Sequence, residues 1–71
     1  MRHYTVILKE EPEGGFSVWV PALPGCASQG ETREEALANI REAMELYIDT
    51  LVQDGLVLPP DVEVLRLEAS A

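Results

Sequence analysis

Thirteen of the 71 residues are Asp or Glu, and carboxylates that converge on one or two divalent cations can hydrolyse phosphodiesters. Their spacing works against convergence. The alternating runs 4–9 and 16–20 hold none, Glu10, Glu11 and Glu13 fall in a turn-forming stretch, and most of the rest lie on the polar side of an amphipathic segment. That is the distribution of solvated charge, and a residual Mg²⁺-dependent nuclease is the least favoured of three functional readings. Cys26 and His3 could in principle form a nucleophile and its base. Nothing in the sequence joins them, and a lone cysteine among apolar neighbours usually packs as a small hydrophobe. With one Cys and one His, neither a disulfide within the chain nor a cysteine-rich zinc site is possible. Gly14-Gly15, Gly25 and Gly30 match neither dinucleotide nor nucleotide-loop spacing. No catalytic residue, metal or cofactor is therefore expected, and the chain reads as a non-enzyme.

Binding chemistry is better represented. Trp19 stands next to Pro21, Leu23, Pro24 and Gly25, and an aromatic side chain beside a rigid proline-bordered loop is a common anchor for a partner. Trp19 could equally fill the contact between copies of this chain. Glu31, Glu34 and Glu35 supply clustered negative charge shortly after that loop. Arg2, Lys9, Arg33, Arg41 and Arg66 are scattered, and the net charge is −8. Phosphates are repelled by such a chain, so direct nucleic-acid binding is not expected, whereas basic partners are attracted.

The elements that position these residues follow from periodicity. Tyr4, Val6 and Leu8 alternate with Thr5, Ile7 and Lys9, and Phe16, Val18 and Val20 alternate with Ser17 and Trp19. Two strands joined across Glu10–Gly15 make a hairpin. Pro21 stops the second strand, and residues 26–29 have room for a third. Thr32-Arg33-Glu34-Glu35 has the spacing of a capping box. From there Ala36, Leu37, Ile40, Ala43, Met44, Tyr47, Ile48 and Leu51 recur at three- and four-residue intervals. A helix over about 33–53 is predicted, with Gly55 just beyond its end. After Pro59-Pro60, residues 62–67 alternate again and predict a closing strand. The order is β-β-β-α-β, an α+β fold with one helix on one face of a small sheet.

A chain this short hides only about 60% of its unfolded surface, and with no disulfide or metal its remaining support is association. Both strand faces carry apolar side chains, and a single helix covers only one of them. A homo-oligomer, dimer or tetramer, is expected on that ground. No apolar run approaches the ~20 residues of a membrane span, and the N-terminus lacks the apolar core of a signal peptide. A soluble, cytoplasmic single domain over 1–71 is the expectation.

Residues 20–47 carry a more specific signal. Pro21, Leu23-Pro24-Gly25-Cys26, Gly30-Glu31-Thr32, Glu35-Ala36 and Glu42-Ala43 occur in the order and spacing of a family signature. With the Tyr4-Thr5-Val6 strand, the Gly14–Val18 hairpin and the Gly55…Pro59-Pro60 tail, the chain resembles the HicB-type antitoxins over nearly its whole length. The resemblance implies a partial ribonuclease-H-like fold without the strand carboxylates of a nuclease. It also implies the antitoxin role in a type II toxin–antitoxin pair, with occlusion of a small HicA-like mRNA-cleaving toxin. Trp19, Pro21, Leu23, Pro24, Gly25, Glu31, Glu34 and Glu35 are then the expected toxin-binding residues. Many relatives continue into a DNA-binding domain, and the four residues after the expected last strand leave no room for one. Autorepression by direct DNA binding is therefore not expected. A stand-alone oligomeric regulatory or interaction protein without a toxin is the second reading.

Overall fold

The dominant element forms because its first turn satisfies itself. In the computed structural model, which describes residues 2–70, Thr32 adopts an extended conformation and its hydroxyl accepts from the Glu35 N–H at 3.1 Å. The Glu35 carboxylate reaches back to the Glu31 N–H, also at 3.1 Å, one residue before the N-cap. The Glu35 N–H, which helix geometry leaves without a partner, and the Glu31 N–H just ahead of the helix are thus both satisfied. Helix α1 then runs Arg33–Gln53. It ends in a Schellman turn, with the Gly55 N–H on the Val52 carbonyl and the Leu56 N–H on that of Leu51. Every residue of the predicted apolar stripe is buried or half-buried, and Glu34, Ala38, Arg41, Glu42, Glu45 and Asp49 opposite it are exposed.

Three short strands, β1 (Ile7–Glu10), β2 (Phe16–Trp19) and β3 (Ala27–Gly30), form an antiparallel sheet in the order β1-β2-β3. Register places Ile7, Trp19 and Ala27 in one row and Leu8, Val18 and Ser28 in the next. Successive rows point to opposite faces. The β1–β2 turn is closed by the Gly14 N–H on the Glu11 carbonyl, with Pro12 at its second position. Between β2 and β3 the chain makes two consecutive turns, each with proline second: the Leu23 N–H bonds the Val20 carbonyl and the Cys26 N–H bonds that of Leu23. The second turn needs a positive φ at its third position, which Gly25 supplies at 83°.

The core is the contact between helix and sheet: Val18, Val20, Leu23, Cys26, Ala36 and Ile40 are buried, with Tyr4, Val6, Leu8, Phe16, Ala43, Met44, Tyr47 and Ile48 packed around them. Gly30 sets the closeness of the approach. A Cβ there would lie far inside van der Waals contact distance of the Ala36 backbone nitrogen and 2.8 Å from its Cα.

The expected α+β architecture is present, with the first three strands and the helix in the predicted order. The closing strand is not. Among the described residues, 62–67 belong to no ladder, and all six are exposed. The segment is tied down at its root, where the Tyr4 hydroxyl donates to the Pro59 carbonyl at 2.5 Å and Asp61 accepts from the Thr5 N–H and hydroxyl. β1 also begins later than expected, at Ile7 rather than Tyr4, and β3 is displaced by one residue to Ala27–Gly30. Met1 and Ala71, the ends of the expected 1–71 domain, lie outside the described residues. Among the described residues no helix is long and apolar enough to cross a membrane.

Candidate functional site

The turn between β1 and β2, the Gly30 end of β3 and the first turns of α1 enclose a polar groove of about 640 Å³. Glu11, Glu13, Glu31 and Glu35 line it, together with Ser17, Gln29 and Asn39. Two of the four carboxylates are held in place. Glu11 Oε1 accepts from the Ser17 hydroxyl at 2.6 Å, which pins the hairpin turn to β2. Glu35 serves the helix cap. Asn39 closes the far wall by donating from Nδ2 to the Gln29 carbonyl at 2.7 Å, joining helix to β3. Glu13 and Glu31 are exposed at the rim. The groove is an open, wet, negatively charged concavity on a rigid frame.

The eight residues expected to act together occupy separate places. Glu31 and Glu35 belong to the groove, and Glu34 stands beside it on the solvent side of the first helical turn. Trp19, Pro21, Leu23, Pro24 and Gly25 lie at the other end of β2. Phe16 pairs with Gly30 at the groove end and Trp19 with Ala27 at the loop end, a separation of about 10 Å along the strand. Within the loop the roles differ again. Leu23 is 0% exposed and belongs to the core, so it shapes the loop from beneath and presents nothing to a partner. Pro24 and Gly25 are exposed and Pro21 half-buried. Trp19 shares the outer sheet face with Ile7, its cross-strand partner. They are 37% and 39% exposed and form the apolar centre of that face.

Glu11, Glu13, Gln29 and Asn39 were not among the residues expected to form a site. The signal for the first two is the Glu-Pro-Glu-Gly-Gly turn, whose glycines let it fold close over β3: a Cβ on Gly15 would lie 3.1 Å from the Gly30 carbonyl oxygen. Asn39 carries no such signal, because its partner is a backbone carbonyl ten residues away.

The remaining chemical candidates resolve by position. Cys26 is buried in the core, and burial pushes its thiol pKa up, the opposite of what a nucleophile requires. His3 lines a second groove on the far side of the molecule, in which Cys26 takes no part. Among the described residues no group of three or more His, Cys, Asp or Glu side chains is placed to hold a metal ion.

A UPF0150 protein of Synechocystis is 48% identical over 64 residues, covering 90% of this chain and 81% of the relative. A UPF0150 protein of Thermoplasma acidophilum is 48% identical over 58 residues, 82% of this chain and 84% of the relative. An uncharacterised 14.9 kDa protein of Haemophilus phage HP1 is 40% identical over 50 residues, which make up 70% of this chain and 38% of that protein. The pattern that defines the HicB-like antitoxin of bacterial toxin–antitoxin systems matches residues 4–70, and the chain belongs to that family.

Proposed function

We propose that this chain is the antitoxin of a type II pair and neutralises a HicA-like mRNA-cleaving toxin by covering its RNA-binding surface. Family membership supports the antitoxin role. The observation that carries the mechanism is the polar groove with four glutamates around it, on a chain of net charge −8. A protein that grips RNA presents a basic face, and an acidic groove steers it into place. Glu13 and Glu31 at the rim, with Glu34 beside them, make the charged contact. Glu11 and Glu35 hold the frame. Trp19, Pro21, Pro24 and Gly25 form a second, apolar contact patch, and Leu23 supports it from the core. The chain acts by binding and performs no catalysis.

The test is co-expression with any small basic protein that a gene adjacent to this chain's own encodes. Relief of its growth arrest, together with copurification of the two proteins, is the expected result. Persistent arrest with no complex rejects the toxin partner and favours a stand-alone oligomeric regulatory protein instead.

A further inference from the structure

We infer that the basic partner lies across the outer face of the sheet, so that the acidic groove and the Trp19 loop are two ends of one continuous footprint. The inference rests on the antitoxin reading above and adds to it the surface between its two contact patches. Side chains along a strand alternate between faces. The paired rows Lys9-Ser17-Gln29 and Ile7-Trp19-Ala27 therefore share the face opposite to Leu8 and Val18. The inner face belongs to the helix contact, since Val18 is buried in the core and Leu8 packs against it. On the outer face Ser17 is half-buried, and the other five residues of the two rows are exposed. Ile7 and Trp19, directly opposite each other, put its large apolar side chains side by side.

These rows join the two patches that lie at opposite ends of β2. Ser17 and Gln29 also line the acidic groove, and the next row on the same face is Ile7-Trp19-Ala27. Rows of one face repeat every ~7 Å along a strand, so a single interface of ordinary size spans both. The Ser17 hydroxyl holds the Glu11 carboxylate at this face through its 2.6 Å bond. Passing along the sheet, the surface runs from carboxylates through uncharged polar side chains to Ile7 and Trp19. It ends at the loop with exposed Pro24 and Gly25. An apolar centre with a polar margin is the usual anatomy of a contact surface.

Charge identifies the occupant. The chain has thirteen Asp and Glu, yet neither row contains one, and Lys9 is their only charged residue. A partner covering the face therefore desolvates no carboxylate beside Ile7 and Trp19, and meets carboxylates only where the groove opens. The chemistry that fits is an aliphatic or aromatic side chain against the Ile7–Trp19 pair, with Arg or Lys reaching the groove about 7–10 Å away. A surface that grips RNA has both, cations for phosphates and aromatic faces for bases. The outer face offers such a surface what RNA offers it, negative charge beside a flat aromatic ring. A second copy fits less well. It carries the same charge of −8, and its own two rows hold only Lys9 to set against the glutamates.

Trp19 is the single tryptophan of the chain, so fluorotryptophan incorporated into this chain alone reports on the face through one fluorine resonance. The probe is the small basic protein that relieves its own growth arrest on co-expression with this chain. In the free chain the resonance should broaden with a soluble paramagnetic agent, and in the complex that broadening should be lost. Ile7→Asp should weaken the complex about tenfold or more, although its added negative charge by itself favours a basic partner. Glu45→Gln, exposed on the helix beside the other groove, should leave the affinity within about twofold. Failure of the wild-type chain to bind rejects the antitoxin reading, and the footprint falls with it. A wild-type complex in which Trp19 stays open to the agent rejects the footprint alone. So does undiminished binding by an Ile7→Asp chain whose circular dichroism matches the wild type. Protection of Trp19 in the isolated chain that grows with its concentration also overturns the inference, because a second copy then covers the face.

Discussion

The two grooves share the helix α1, yet they differ in kind. The groove at the N-terminal end of α1 is polar, carries four glutamates, and is closed by side-chain bonds from Glu11, Glu35 and Asn39. The groove between residues 2–6 and the middle of α1 is lined mainly by aliphatic and aromatic side chains. Water is a good occupant for the first and a poor one for the second. A small protein with one helix can seal only part of its apolar surface. Here the sealed part is where Gly30 lets β3 touch α1, and the open part is the groove lined by Tyr4, Val6, Ile40, Met44 and Ile48. One end of the domain is thereby closed by its own side-chain hydrogen bonds, while the other keeps an apolar groove open.

The largest way to break this contrast is Ile40→Ala. Ile40 is buried, belongs to the core and also lines the apolar groove, so its truncation should cost about 2–5 kcal/mol. Urea denaturation of the isolated chain measures that cost, and a loss under about 1 kcal/mol would mean the groove and core are not one packed unit. Next comes Gly30→Ala, which pushes the β3 wall of the polar groove away from Ala36. A loss of about 1–3 kcal/mol is expected, and the Asn39–Gln29 bond should open with it, visible in the Asn39 side-chain amide resonances.

Charge reversal at the rim should separate fold from function. Glu13→Lys with Glu31→Lys alters two exposed side chains, so stability should stay within about 0.5 kcal/mol for each change. Association with the toxin should slow about tenfold or more, with the difference shrinking at high salt. An association rate unaffected by the reversal would remove the polar groove from the proposed contact. The smallest effect lies at the root of the segment. The Thr5 N–H, and then the Thr5 hydroxyl, hold the Asp61 carboxyl below its ordinary pKa. Protonation therefore costs more in the folded state, so the contact is intact above the ordinary carboxylate range and is lost as pH falls through the lowered value. The Thr5 amide resonance should report that titration in acid, and Asp61→Asn should abolish it.

Much of the molecule is legible residue by residue because its causes are local. The capping box needs only Thr32 and Glu35 three positions apart. The helix end needs only Gly55, and the amphipathic stripe needs only its own period. The inward faces of the strands, Leu8 and Val18 against Ile7 and Trp19, follow from alternation. The candidate site is less legible. Glu31 and Glu35 were identified from their place at the helix start, but Glu11 and Glu13 join them only because the hairpin turn folds over β3. Leu23 reads as part of an exposed loop until two successive turns carry its side chain into the core.

The sequence by itself therefore determined the elements, their caps and turns, the charge, and the family signature, since each depends on neighbours within a few residues or on composition. The tertiary structure decided how those elements share surfaces. It divided the expected binding residues between the two ends of β2, brought four glutamates around one groove, and left residues 62–67 without a strand beside them. Those outcomes depend on which backbone edges and apolar faces meet across the chain, and alternation is the same for a strand that has a neighbour and for one that still lacks it.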